Sequence, residues 1–159
     1  MLADDFAVPE GTRWKLSEIE IEGTYFDGIG RAHSLNIAIY RNKRGLPGKL
    51  VAKYGEIKYS DDDFGSFVVP LPESLKLKPG RYWMSVQANQ DFSVEGEWGW
   101  LTATVKLDNP ALFQNPGDGF MTGCVTWAPL NDCLPDYDVG DMLFALRGRE
   151  ITPQGPDRD

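Results

Sequence analysis

The sequence has no apolar run approaching the ~20 residues of a membrane-spanning helix, which excludes insertion through such a helix. Histidine is nearly absent: His33 is the only one, and Cys124 and Cys133 are the only cysteines. That set cannot build a four-ligand Cys/His zinc site. A Ser-His-Asp triad would have to be built on His33, and no GxSxG nucleophile elbow is present. The Gly-containing stretches GIG and GDG lack the Lys-Ser/Thr or strand–helix context of a phosphate loop. Basic residues are the minority, 16 against 24 acidic, and the net charge of −8 disfavours nucleic acid and anionic membrane surfaces as partners. No segment shows sustained helical periodicity; PESLKL (72–77) suggests one helical turn at most.

What is abundant points to sheets. The chain carries 17 Gly, 11 Pro and 12% aromatic residues, so chain breakers interrupt helices and large flat side chains suit pleated surfaces. At 159 residues, 42% of them hydrophobic, the chain fits one domain with a real core. We assign 1–150 to a β-sandwich module and 151–159, ITPQGPDRD, to a Pro-rich linker or tail. Met1 is followed at once by LADDF, with no signal-peptide pattern. The chain then reads either as cytosolic or as a piece of a longer secreted or cell-surface protein, and the Pro-rich end favours the piece.

Alternation locates the strands. In WKLSEIEIEGTYF, Trp14 and Leu16 share one parity and Ile19, Ile21 and Tyr25 the other, so a bulge is expected near Ser17–Glu18. SLNIAIY places Leu35, Ile37 and Ile39 on one face. LPGK (46–49) and KPGR (78–81) read as Pro-Gly turns. RYWMSVQAN sets Tyr82, Met84, Val86 and Ala88 on a core face, opposite Trp83, Ser85 and Gln87. EWGWLTATVKL reads as one strand, and Asp108–Gly119, with two Asn-Pro pairs, as the longest loop. In DMLFALRG, Met142, Phe144 and Leu146 face inward. The expected fold is all-β, a two-sheet antiparallel sandwich of jelly-roll type, with roughly eight or more strands and no long helix.

The opening ADDFAVPEGTRWKLSEIEIEGTYF, followed in order by SLNIAIYRNKRGLPGKLV, LKPGRYWMSVQAN, WGW, QNPGDGF and the terminal DMLFALRG, resembles a group of β-sandwich domains of secreted and surface-anchored bacterial proteins. The likeness runs from Ala3 to Gly148. It implies an extracellular jelly-roll-like accessory module attached to neighbouring domains of the same polypeptide. It names no catalytic residues and no ligand.

Three sets of residues are candidates for chemistry. Trp98 and Trp100 are two apart, so both rings leave one face of a strand. If that face is exposed, they form a platform on which sugar faces stack, with Trp127 as a further aromatic and Gln87, Asn89, Glu95 and Glu97 as partners for hydroxyls; if it is not, they are core. The polar Thr102 and Thr104 continue the same parity and suggest a wet face. Asp136, Asp138 and Asp141 in PDYDVGD, joined by Asp5 and Asp4 if the first and last strands are neighbours, offer carboxylates to calcium; the bland alternative is a solvated acidic surface. Cys124 and Cys133 flank turn formers and are expected to pair as a disulfide if the protein is secreted. The reading is a non-catalytic accessory module binding a polysaccharide or glycan. A structural or adhesin-like protein-binding module is the alternative, and a small glycosidase or other hydrolase a third.

Overall fold

The computed structural model describes residues 1–61, 63–135 and 140–151, and of Asp61 only the backbone. Among them are twelve strands: β1 Leu2–Val8, β2 Trp14–Ile21, β3 Gly23–Phe26, β4 Ser34–Lys43, β5 Leu46–Ile57, β6 Ser60–Asp61, β7 Phe67–Leu77, β8 Gly80–Asn89, β9 Glu97–Trp100, β10 Leu112–Phe113, β11 Ala128–Pro129 and β12 Phe144–Glu150. Two four-residue helices, α1 Phe92–Glu95 and α2 Leu130–Cys133, complete the set. The strands form a six-stranded sheet in the order β11-β10-β1-β8-β4-β5, a four-stranded sheet β12-β2-β7-β6, and the pair β3-β9, all antiparallel. The fold is an all-β sandwich.

Its core follows from the alternation. Leu35, Ile37 and Ile39 of β4 and Tyr82, Met84 and Val86 of β8 are all buried, and they meet Leu16, Ile19 and Ile21 of β2 and Phe67 and Val69 of β7. Met142 lies in the same cluster, and Phe144 and Leu146 pack against it. The bulge in β2 is present against β12, where the consecutive Arg147 and Gly148 pair with Glu18 and Leu16 and leave Ser17 over. Against β7, Leu16 pairs with Leu75 and Glu18 with Pro70, so there the extra residues belong to β7. Pro70 therefore closes one stretch of pairing, as its missing N–H demands.

Four local expectations are corrected. LPGK is not a turn. Lys43 pairs with Leu46, and the two-residue turn between them is Arg44–Gly45, with φ of 56° and 80°. Such a turn needs positive φ at both positions, which Pro47 cannot adopt. Pro47 instead sits in β5, an edge strand of the sheet, where a missing donor is tolerated. PESLKL is the second half of β7 rather than a helical turn. EWGWLTATVKL is a strand only over Glu97–Trp100, and beyond it the chain makes one isolated bridge, Thr102 with Met142. Within Asp108–Gly119, Ala111, Leu112 and Phe113 are buried, and Leu112–Phe113 adds a strand beside β1. The face of β8 opposite the main core is also partly covered: Trp83 is fully buried with Ala3 and Leu112 in a second, smaller cluster flanked by Tyr40 and Trp127.

Cys124 and Cys133 are disulfide-bonded, with Cα atoms 5.9 Å apart. Cys133 ends α2 inside the main core, and the Asn115 N–H donates to the Cys124 carbonyl at 2.7 Å. The bond thus ties the 114–125 loop to α2. No helix among the described residues is long and apolar enough to cross a membrane. The expected linker lies, beyond Ile151, outside the described residues.

Candidate ligand-binding cavity

The pair β3-β9 decides the fate of the tryptophans. Its register is Gly23 with Trp100, Thr24 with Gly99, Tyr25 with Trp98, and Phe26 with Glu97. Cross-strand partners share a face, so Gly23, Tyr25, Trp98 and Trp100 point one way and Thr24, Phe26, Glu97 and Gly99 the other. The tryptophan face is the inward one. Trp100 is 5% exposed, donates its indole N–H to the Leu143 carbonyl at 2.8 Å, and lies 5.8 Å from the Phe144 ring. Trp98 is half-buried, donates to the Gly65 carbonyl at 2.7 Å, and lies 5.2 Å from the Phe67 ring. A Cβ on Gly23 would fall 2.3 Å from the Trp98 indole nitrogen, so the glycine is what lets the ring lie flat there. The two rings share a face as their spacing requires, but they do not form an exposed platform. Thr102 misled because β9 stops at Trp100; the threonines belong to a different segment. Trp127 joins neither ring: it is half-buried against the second cluster, on the far side of the six-stranded sheet.

The opposite face of β3-β9 lines a cavity of about 650 Å³. Thr24, Phe26, Glu97 and Gly99 form one wall. The end of β8, with Val86, Gln87 and Ala88, forms a second, and Leu130 and Leu134 with Phe120 a third. Trp98 and Trp100 also border it. Four of the seven residues nominated for ligand contact, Trp98, Trp100, Gln87 and Glu97, therefore converge on one cavity, although the tryptophan N–H groups are engaged elsewhere. The cavity also contains groups the sequence did not single out. Phe26 is 40% exposed and Phe120 58%. Phe26 covers Gly99 so closely that a Cβ there would lie 3.0 Å from the ring. The only sequence signal for this was Gly99 itself, a gap on one side of a strand; that Phe26 fills it depends on a ladder between distant segments.

The polar groups differ in how far they are engaged. Gln87 accepts from Asn36 Nδ2 at 3.3 Å through its Oε1, and its amide nitrogen has no partner among the described residues. Asn89, bonded to Asn36 and Ser34, belongs to the same amide network rather than to the cavity. Gln90 donates to the Gly96 carbonyl at 2.7 Å and holds the turn that leads into β9, and its own Oε1 is buried without a partner. In that turn Asp91 accepts from Ser93, Glu95 accepts from the Asp91 N–H at 2.6 Å, and His33 Nε2 lies 3.2 Å from Glu95 Oε1. Glu97, in contrast, is half-buried and its carboxylate has no hydrogen bond or ion pair among the described residues.

The nominated calcium ligands are placed as follows. Asp5 faces outward from β1 and is held by Arg81 and by Asn109 Nδ2 at 2.9 Å. Asp141 accepts from the Leu107 N–H at 2.9 Å. Asp136 and Asp138 lie outside the described residues, among which no group of three or more His, Cys, Asp or Glu is poised to hold a metal. Asp4 is on the inward face of β1 at 1% exposure and does bridge the sandwich toward the last strand: it accepts from the Met142 N–H at 2.6 Å and from the Asp5 N–H at 2.8 Å. Burial pushes its carboxyl up to about 7, against the pull of those two N–H groups and with help from the nearby Asp141 and Asp5 charges.

No known protein family, curated protein or solved structure matches this chain.

Proposed function

We propose that the chain is a non-catalytic binding module of a larger secreted bacterial protein, and that a glycan is its ligand, seated in the cavity on the Phe26–Glu97 side of β3-β9. The observation that carries this is the meeting, in one cavity, of a partly exposed aromatic ring, apolar walls and polar side chains with unused hydrogen-bonding capacity. A pyranose has a C–H face that packs on such a ring and hydroxyls that bond carboxylate and amide groups. Binding pockets combine these elements: mostly apolar lining, with a few polar groups that fix orientation. The disulfide supports an oxidising compartment. The resemblance to sandwich modules of surface proteins agrees with that compartment.

The test is a glycan array on the purified chain, alongside Phe26→Ala. Retention of one glycan class, lost in the variant while the melting temperature falls by only about 2–4 °C, is the expected result. No retention on any glycan, or release of hydrolysis products from a bound one, would overturn the reading. A second reading, an adhesin-like protein contact, is favoured by one observation. Ile29, in the loop after β3, and Phe92 and Val94, on α1, are 85%, 66% and 58% exposed, and the Gly30 N–H to Glu95 carbonyl bond joins the two segments.

A further inference from the structure

This inference rests on the glycan reading and narrows it. Phe26 and Glu97 are register partners, so ring and carboxylate stand side by side on one face and border the same cavity. The ring is 40% exposed and backed by Gly99. Glu97 is a half-buried residue whose carboxylate is unpaired among the described residues, whereas its neighbours in the chain, Asp91 and Glu95, both have partners. The other charged group on a cavity-lining residue, the Met1 amine, is tied to the Gln114 carbonyl at 2.9 Å. An unpartnered carboxylate keeps its full capacity to pair with a cation. An aromatic face beside it attracts the same cation through its quadrupole. A hydroxyl would give Glu97 one hydrogen bond to a charged oxygen; an ammonium adds to that bond the attraction of opposite charges. An anionic sugar would meet repulsion both from Glu97 and from a chain of net charge −8.

We infer that the cavity selects a glycan carrying a free, protonated amine, with Phe26 and Glu97 as the pair that recognises it. The amine of an amino sugar would sit between ring and carboxylate, and acetylating that amine would remove both attractions while leaving the sugar ring intact.

The experiment is titration calorimetry of the full chain with three short oligosaccharides of equal length: of glucosamine, of N-acetylglucosamine and of glucose. The glucosamine form should bind about tenfold more tightly than either neutral form, a margin that corresponds to one ion pair together with one cation–π contact. In Glu97→Gln, which keeps size and amide polarity, that preference should shrink to about twofold or less, and in wild type it should weaken as salt is raised. Phe26→Ala should weaken all three ligands. Equal affinities in wild type overturn the inference but leave the glycan reading standing if Phe26→Ala abolishes binding. A preference that survives in Glu97→Gln places the amine elsewhere on the acidic surface and also overturns it. Failure of all three to bind overturns this inference and counts against the glycan reading with it. The comparison among ligands needs no variant, so it decides even if Glu97→Gln does not fold.

Discussion

Trp100→Ala lowers the stability of the domain by about 3–5 kcal/mol, the range for truncating a buried large aromatic. The ring is 5% exposed, so its removal opens a void where Phe144 and Met142 now pack. It also leaves the Leu143 carbonyl without the indole N–H that reaches it at 2.8 Å. Phe26→Ala, on the other face of the same strand pair, should cost only about 1 kcal/mol, because that ring is 40% exposed and covers a glycine rather than filling the core. Urea unfolding of both variants measures the contrast. Equal costs would contradict the division of β3-β9 into a buried Trp100 face and an open Phe26 face.

Asp4 gives the second large effect, and it depends on pH. An unfolded aspartate titrates near pH 3.9, whereas the folded environment holds the Asp4 proton until about pH 7. Folding therefore takes up a proton between those two values. The contribution to stability is complete below about pH 4, is lost as pH rises to about 7, and changes no further above it. At about 1.4 kcal/mol per pH unit the loss reaches about 4 kcal/mol. Asp4→Asn removes the titration and keeps one oxygen to accept from Met142 or Asp5. Unfolding curves for wild type and variant at about pH 4 and about pH 8 should diverge by that amount, with wild type losing ground at the higher pH. Parallel curves would contradict the burial assigned to this carboxylate. The physical consequence is that the joint between β1 and the segment entering β12, on either side of the sandwich, is tighter in acid than in base.

The parts of the fold legible in the sequence were those set by local alternation. Leu35-Ile37-Ile39 and Tyr82-Met84-Val86 show their buried face within a few residues, because a strand's period of two needs no knowledge of its neighbours. The break in parity at Ser17–Glu18 likewise marked the bulge. Turn chemistry was legible where backbone and residue type agree, at Lys78–Pro79, and misleading at Pro47–Gly48, where the edge position of β5 made a proline acceptable inside a strand. The site was legible only in part, for a reason of register. Spacing shows that Trp98 and Trp100 share a face, but which face is inward is decided by β3, far away in the chain, and by Gly23, whose lack of a side chain makes room for the Trp98 ring. The same missing register hid Phe26. Glu97 and Gln87 were found because polar residues flanking an aromatic strand are few, and both do border the cavity.

The most direct test of the account is where a bound sugar leaves its mark. Titrating the isotope-labelled chain with a glucosamine oligosaccharide and following each backbone amide and indole N–H by NMR reads this out residue by residue. The account predicts shifts concentrated at Thr24, Phe26, Glu97, Gly99 and Leu101. The Trp98 and Trp100 indole signals should stay in place, because their N–H groups remain bonded to Gly65 and Leu143. Shifts centred on Trp127 and the outer face of the six-stranded sheet, or none at saturating sugar, would contradict it.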